Sequence, residues 1–115
     1  MMEGVELVAF QIIASVGSAR SFYIEAIQEA KIGNIDRAKE MLQEGEKSFL
    51  EGHKAHAGLI QKEASNEALE LKLILMHAED QLMSAESFRI ISEELIDVHE
   101  ELISLRKELI SVVKS

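Results

Sequence analysis

Cysteine, proline and tryptophan are all absent from this 115-residue chain. Without cysteine there is neither a disulfide framework nor a thiolate metal site, which fits a reducing compartment. Aromatics are scarce as well, with four phenylalanines and one tyrosine. The balance falls to Leu, Ile, Ala, Glu, Lys, Gln and Met, which favour helix over strand. No run approaches the roughly 18 apolar residues of a membrane span. The opening "MMEGVELVAF" carries an early Glu, no basic flank and no signal-peptide hydrophobic region. The expected address is therefore cytoplasmic, without direct membrane insertion. Positive charge is also in deficit: 12 basic against 21 acidic residues leave a net charge of −9. Such a chain repels phosphate backbones and anionic lipid, which argues against nucleic acid and favours a basic protein partner.

What is present is a length for one core, so residues 1–115 are expected to form a single all-α domain. Two stretches punctuate it. In "KIGNIDRA", Gly33 can take a left-handed helix cap and Asn34 can cap the next helix. In "EASNEAL", Ser65 or Asn66 can cap a third helix with Glu67 in its first turn. The spacing predicts helices over roughly 5–32, 35–63 and 67–113, with short connections that imply an antiparallel three-helix bundle.

The first helix carries Val5, Ala9, Ile12, Val16, Ala19, Tyr23, Ala26 and Ala30 at steps of three and four, widened by Phe10, Ile13, Ile24 and Ile27. It should therefore touch more than one neighbour. The second repeats the steps through Ala38, Leu42, Gly45, Phe49, Gly52, His56 and Leu59. Gly45 and Gly52, one heptad apart, suggest a close approach of helices, whereas Gly17 and Gly58 read as weak spots. In the third, Ile91, Leu95, Val98, Leu102, Leu105, Leu109 and Val112 make a heptad packing seam. Traced backwards it meets Phe88, Ser84, Gln81, His77 and Ile74. Two shorter helices cannot cover a face of that length, and self-association would bury the excess.

The seam turns polar in "LKLILMHAEDQLMSA", residues 71–85. At about 100° per residue His77, Asp80, Gln81 and Ser84 share a face, while Glu79 is expected to face solvent. His77 and Asp80 could form a simple intrahelical pair or a functional one. His53 and His56 in "GHKAH" could join them around a divalent ion, but no His has a Glu three residues before it, and H-E-x-x-H is absent. His99, within "DVHEE", reads as a solvated surface residue. There is no phosphate-cradling glycine loop, G-x-S-x-G elbow or Cys nucleophile. Covalent chemistry is left to histidine, a competent phosphoryl acceptor near neutral pH.

The segment "LILMHAEDQLMSA" resembles the active-site segment of the lactose/cellobiose-type enzyme IIA components of the bacterial phosphoenolpyruvate-dependent sugar phosphotransferase system, typically His-Ala-Gln-Asp-His-Leu-Met. The stretch from "AFQIIASVGSARSFY" to "GHKAHAGLIQKEA" is similar to that family's first two helices, including Gly-x-Ala-Arg-Ser. The resemblance implies a phosphocarrier in which His77, as tele-phosphohistidine, accepts a phosphoryl group from HPr and passes it to the cysteine of a cognate IIB. A membrane IIC lies downstream, serving a beta-linked disaccharide of the lactose, cellobiose or chitobiose class. It also implies a nine-helix homotrimer of three-helix subunits, with Asp80 pointing to the three-fold axis, where three carboxylates meet a divalent cation, magnesium. Gln81 stands where the family has a second histidine and Glu79 where it has glutamine. A Gln at that place can still donate a hydrogen bond to a phosphoryl oxygen, though it cannot carry a proton charge. The alternatives are a non-catalytic helical interaction module and a histidine phosphotransfer domain of two-component signalling. The latter's His-x-x-Lys-Gly is missing, since Asp80-Gln81 occupies that place.

Overall fold

The computed structural model describes residues 4–70 and 72–114, and the order of elements is α1 (Val5–Lys31), α2 (Ile35–Ala64) and α3 (Leu73–Lys114). The three run up, down and up, with α1 central. Its stripe of Ala9, Ile12, Val16, Ala19, Tyr23, Ala26 and Ala30 is fully buried, as its periodicity predicts. Ile13 and Ile27 are partly buried beside it, but Phe10 and Ile24 are exposed, so the stripe is narrower than expected. By length and composition α1 is apolar enough to cross a membrane, contrary to the expectation from its sequence. Here that apolar character serves the bundle core, shared with Phe49 and Leu59 of α2 and Leu75, Ala78, Leu82 and Ala85 of α3.

The α1–α2 connection is a Schellman turn. Gly33 sits at φ +95°; its N–H donates to the Ala30 carbonyl at 3.1 Å and that of Asn34 donates to Glu29 at 2.9 Å, satisfying two carbonyls at the helix end. Asn34 is the first flanking residue of α2, but its side chain makes no cap. Its Nδ2 donates instead to Glu29 Oε2 at 2.8 Å.

The second connection differs from expectation. Ser65 closes α2 rather than opening α3, and Asn66 adopts the left-handed conformation at φ +64°. The Asn66 N–H donates to Glu63 and that of Glu67 to Lys62, both at 3.1 Å, which makes a second Schellman turn. Asn tolerates this conformation better than most non-glycine residues, so the two residues that look like a start signal act as a stop. Helix α3 begins only at Leu73, where the Lys72 carbonyl accepts from the N–H groups of Leu75 and Met76. Glu67 therefore lies outside α3, and Leu71 lies outside the described residues.

Gly45 and Gly52 are points of close approach. A methyl group on Gly45 would lie 2.5 Å from the Tyr23 ring, and one on Gly52 would lie 2.6 Å from Val16. Gly17 and Gly58 face open space. Beneath Gly45 the Tyr23 hydroxyl is buried without a hydrogen-bond partner. Burial, with the nearby Glu46 carboxylate next in weight, pushes its pKa up to about 12. Helices α2 and α3 are linked by Lys39–Glu100 at 3.3 Å, Arg89–Glu46 at 3.2 Å and His56–Glu79 at 3.8 Å.

The buried face of α3 is Leu75, Ala78, Leu82, Ala85, Ser92 and Ile96. The expected heptad seam is not the bundle's seam. Ile91, Val98, Leu102, Leu105 and Leu109 are each about half exposed or more, Val112 is 71% exposed, and only Leu95 is partly buried. Helix α3 has two apolar stripes, and the bundle uses the one rich in small residues, which lets helices approach closely. The other points outward. Since α3 has 42 residues against 27 in α1, it also runs past the Gly33 turn, whose surroundings it reaches with Ile103 and Lys107.

Candidate functional site

Rotation about α3 assigns each polar residue of the His77 segment a direction. From the buried Ala78, at about 100° per residue, Gln81 lies about 60° to one side, His77 about 100° to that same side, Glu79 about 100° to the other, and Asp80 about 160° away. The contacts follow those angles. Gln81 is half-buried on the α1 flank, where Arg20 Nη1 donates to its Oε1 at 3.4 Å. Glu79 is exposed, as expected, on the side of α3 that faces α2, and its carboxylate stands 3.8 Å from His56 Nε2. His77 and Asp80 are both exposed, and among the described residues no ion pair joins them.

His77 stands at the edge of a surface hollow of about 510 Å³ shared with Leu73 and Ile74. Its imidazole is thus accessible, carried on a continuous helix and bounded by apolar side chains. That arrangement can deliver a ring nitrogen to an incoming protein surface while apolar contact excludes water beside it.

Asp80 has a different relation to the molecule. Val98 follows it by 18 residues, about five turns of an α-helix, so the two lie on one line along α3. Strict heptad tracing from Val98 leads to His77 instead, because a heptad repeat drifts about 20° per heptad on a helix of 3.6 residues per turn. Asp80 therefore shares the direction of the exposed apolar stripe, and His77 is offset from it by about 60°. Among the described residues no group of three or more His, Asp or Glu side chains of one chain could hold a metal ion.

The other histidines are dispersed. His53 is exposed on α2, its ring centroid 6.1 Å from that of Phe49. His56 is largely covered, as its stripe position predicts, and is engaged with Glu79. His99 is half-buried beside Lys31 and Arg106 rather than freely solvated.

Two arginines that the sequence reading gave no role of their own make contacts across the bundle. Arg20 reaches across from α1, its guanidinium 5.1 Å from the centroid of the Phe88 ring. Its signals were its place in the Gly-x-Ala-Arg-Ser segment and its isolation as the sole charged residue between Leu7 and Ile24. Arg89 likewise lies over Phe49 at 5.1 Å while pairing with Glu46. Its position among exposed residues of the heptad pattern gave no such signal.

The bundle thus presents an exposed imidazole beside an apolar hollow, an arrangement in which a ring nitrogen can accept a group from a partner protein. Comparison with known proteins makes this specific. Residues 7–100 match the family model described as the lactose/cellobiose-specific IIA subunit of the PTS system. The lactose-specific EIIA component of Streptococcus mutans is 39% identical over 82 residues, which span 71% of this chain and 79% of that protein. The lichenan-specific phosphotransferase enzyme IIA component of Bacillus subtilis is 40% identical over 74% of this chain and 77% of its own. Among solved structures, the cellobiose-specific enzyme IIA from Bacillus anthracis superposes with a TM-score of 0.87 at 38% identity, covering 90% of this chain and 95% of that one. An Escherichia coli IIA(chitobiose), solved in complex with HPr, gives 0.75 at 33% identity, covering 88% and 98%. The chain belongs to the lactose/cellobiose-specific IIA family. It is a IIA component of the sugar phosphotransferase system, and its work is phosphoryl transfer.

Proposed function

We propose that His77 is the phosphoryl acceptor, taking the group from phospho-HPr on Nε2 and passing it to the cysteine of a cognate IIB in the cytoplasm. There it serves uptake of a beta-linked disaccharide of the lactose, cellobiose or chitobiose class. The observation that carries this reading is the exposed imidazole beside the hollow of Leu73 and Ile74, within the family's own segment. The HPr-bound relative has the same fold and supports HPr as donor.

In the transfer, the lone pair of His77 Nε2 forms a new N–P bond while the donor imidazole recovers the pair of its breaking N–P bond. The far ring nitrogen of each imidazole keeps its proton, so no proton need cross. The transition state is loose, with negative charge on three equatorial oxygens, and the protein's contribution is positioning and hydrogen-bond donation. Asp80 points elsewhere, which suits its charge, since a carboxylate aimed at the phosphoryl group would repel it.

The exposed stripe of Val98, Leu102, Leu105 and Leu109 supports a homotrimer packed along α3. With Leu95, Leu102 and Leu109 at one core position of the heptad, Glu94 and Glu101 flank the stripe on one side and His99 and Arg106 on the other. Parallel copies then meet acid to base, whereas antiparallel copies set glutamate against glutamate. Parallel packing brings together the residues on the line of that stripe, Asp80 included. Three carboxylates so gathered repel one another unless a hard cation with oxygen ligands neutralises them. The donor chemistry fits Mg2+, held by one Asp80 from each subunit, where the ion would relieve that repulsion. The experiment for the carrier role mixes phosphorylated protein with purified cognate IIB: the label is expected to move to the IIB cysteine, and a label that stays on this chain contradicts the role.

A further inference from the structure

We infer that Arg20 is a positioning residue for phosphoryl transfer, acting through Gln81; this rests on His77 being the acceptor. Arg20 projects from α1 and its guanidinium lies over the Phe88 ring, 5.1 Å from the centroid. An aromatic face on one side limits the planes the guanidinium can adopt and favours the cation. From there Nη1 donates to Gln81 Oε1 at 3.4 Å, a long contact, beyond the usual range of about 2.7–3.2 Å. Among the described residues Arg20 makes no ion pair with a carboxylate, in a chain where acids outnumber bases 21 to 12.

The consequence lies in the asymmetry of an amide. Gln81 could present either its oxygen or its NH2 to the space beside His77, and the oxygen would repel a phosphoryl group. Arginine has five N–H donors and no acceptor, so the face of Gln81 that meets Arg20 must be the oxygen. That leaves the NH2 free. Gln81 follows His77 by four residues, on neighbouring turns of one face, and long helical side chains lean back toward the N-terminus of their helix. The freed NH2 is thereby directed to the side of α3 where His77 stands. Gln81 donates to an equatorial phosphoryl oxygen, where the family has a second histidine. Arg20 ensures that this neutral substitute shows its donor side.

The test is a double-mutant cycle on the full chain, with transfer from phospho-HPr followed by rapid quench and phosphoramidate as an independent small-molecule donor. Thermal unfolding is measured on each variant. Arg20→Ala and Gln81→Ala are each expected to slow His77 labelling about tenfold, since a hydrogen bond to an ionised group is lost. The double variant is expected to be no slower than Gln81→Ala. Arg20→Lys, also a pure donor, should recover most of the rate, a rescue that a merely structural role does not explain. A full Arg20→Ala loss that persists in the Gln81→Ala background, or an Arg20→Ala rate equal to wild type, overturns the assignment. A wild-type chain that takes no phosphoryl on His77 from either donor overturns the functional reading itself, and the two failures are distinct.

Discussion

Tyr23 makes a testable point about buried polar groups. Its hydroxyl has no partner and its pKa is pushed up to about 12, chiefly by burial. Between the unfolded value of 10.0 and about 12 the folded state binds the extra proton. Stability is therefore full below pH 10.0 and is lost as pH rises toward 12. The loss is on the order of 2–3 kcal/mol once both states are ionised. Tyr23→Phe should remove this alkaline loss without weakening the fold at neutral pH, because no hydrogen bond is broken. Denaturant unfolding at pH 7 and pH 11 checks it. At this scale His77 and Asp80 were legible as chemistry-bearing residues, since an imidazole and a carboxylate in an apolar helix demand a reason. The Arg20–Gln81 contact was not legible, because it joins residues 61 positions apart and depends on helix rotation.

The stripes of α1 and α2 were readable because each helix buries a single face, and period 3.6 identifies a single face well. Glycine placement sharpened that. Gly45→Ala and Gly52→Ala should each destabilise the bundle by about 1–3 kcal/mol, since the added carbon meets a buried Tyr23 ring or Val16. Gly58→Ala, which meets open space, should stabilise it by up to about 1 kcal/mol. Thermal melts of the three variants test the contrast. Helix α3 was harder to read. It carries two apolar stripes, and the more regular heptad of large residues outshone the stripe of Ala78, Ala85 and Ser92 that the bundle actually buries. Its start was misplaced because Ser65 and Asn66 suit either end of a helix: one side-chain chemistry caps an N-terminus, and left-handed Asn closes a C-terminus.

For the whole molecule, the outward stripe of α3 is what a single bundle leaves unsatisfied. Charges placed there should break assembly: Leu102→Glu with Leu105→Glu is expected to give monomers by analytical ultracentrifugation while each bundle stays folded. Under the proposed trimeric packing, Asp80→Leu should do the reverse, keeping or strengthening assembly by removing like charge, while any Mg2+ binding that calorimetry finds in the wild-type chain should be lost. A monomeric Asp80→Leu variant contradicts the axial placement. Both expectations follow from Asp80 and Val98 lying on one line of the helix, with His77 offset from it.

That offset leaves His77 free to meet a donor, and the acceptor assignment is tested most directly by locating the phosphoryl group. Incubation with enzyme I, HPr and phosphoenolpyruvate, followed by mass spectrometry under alkaline conditions, should find one acid-labile phosphoryl per chain, on His77 and absent from His77→Ala. Undiminished labelling of His77→Ala, or a label on His53, His56 or His99, would contradict the account.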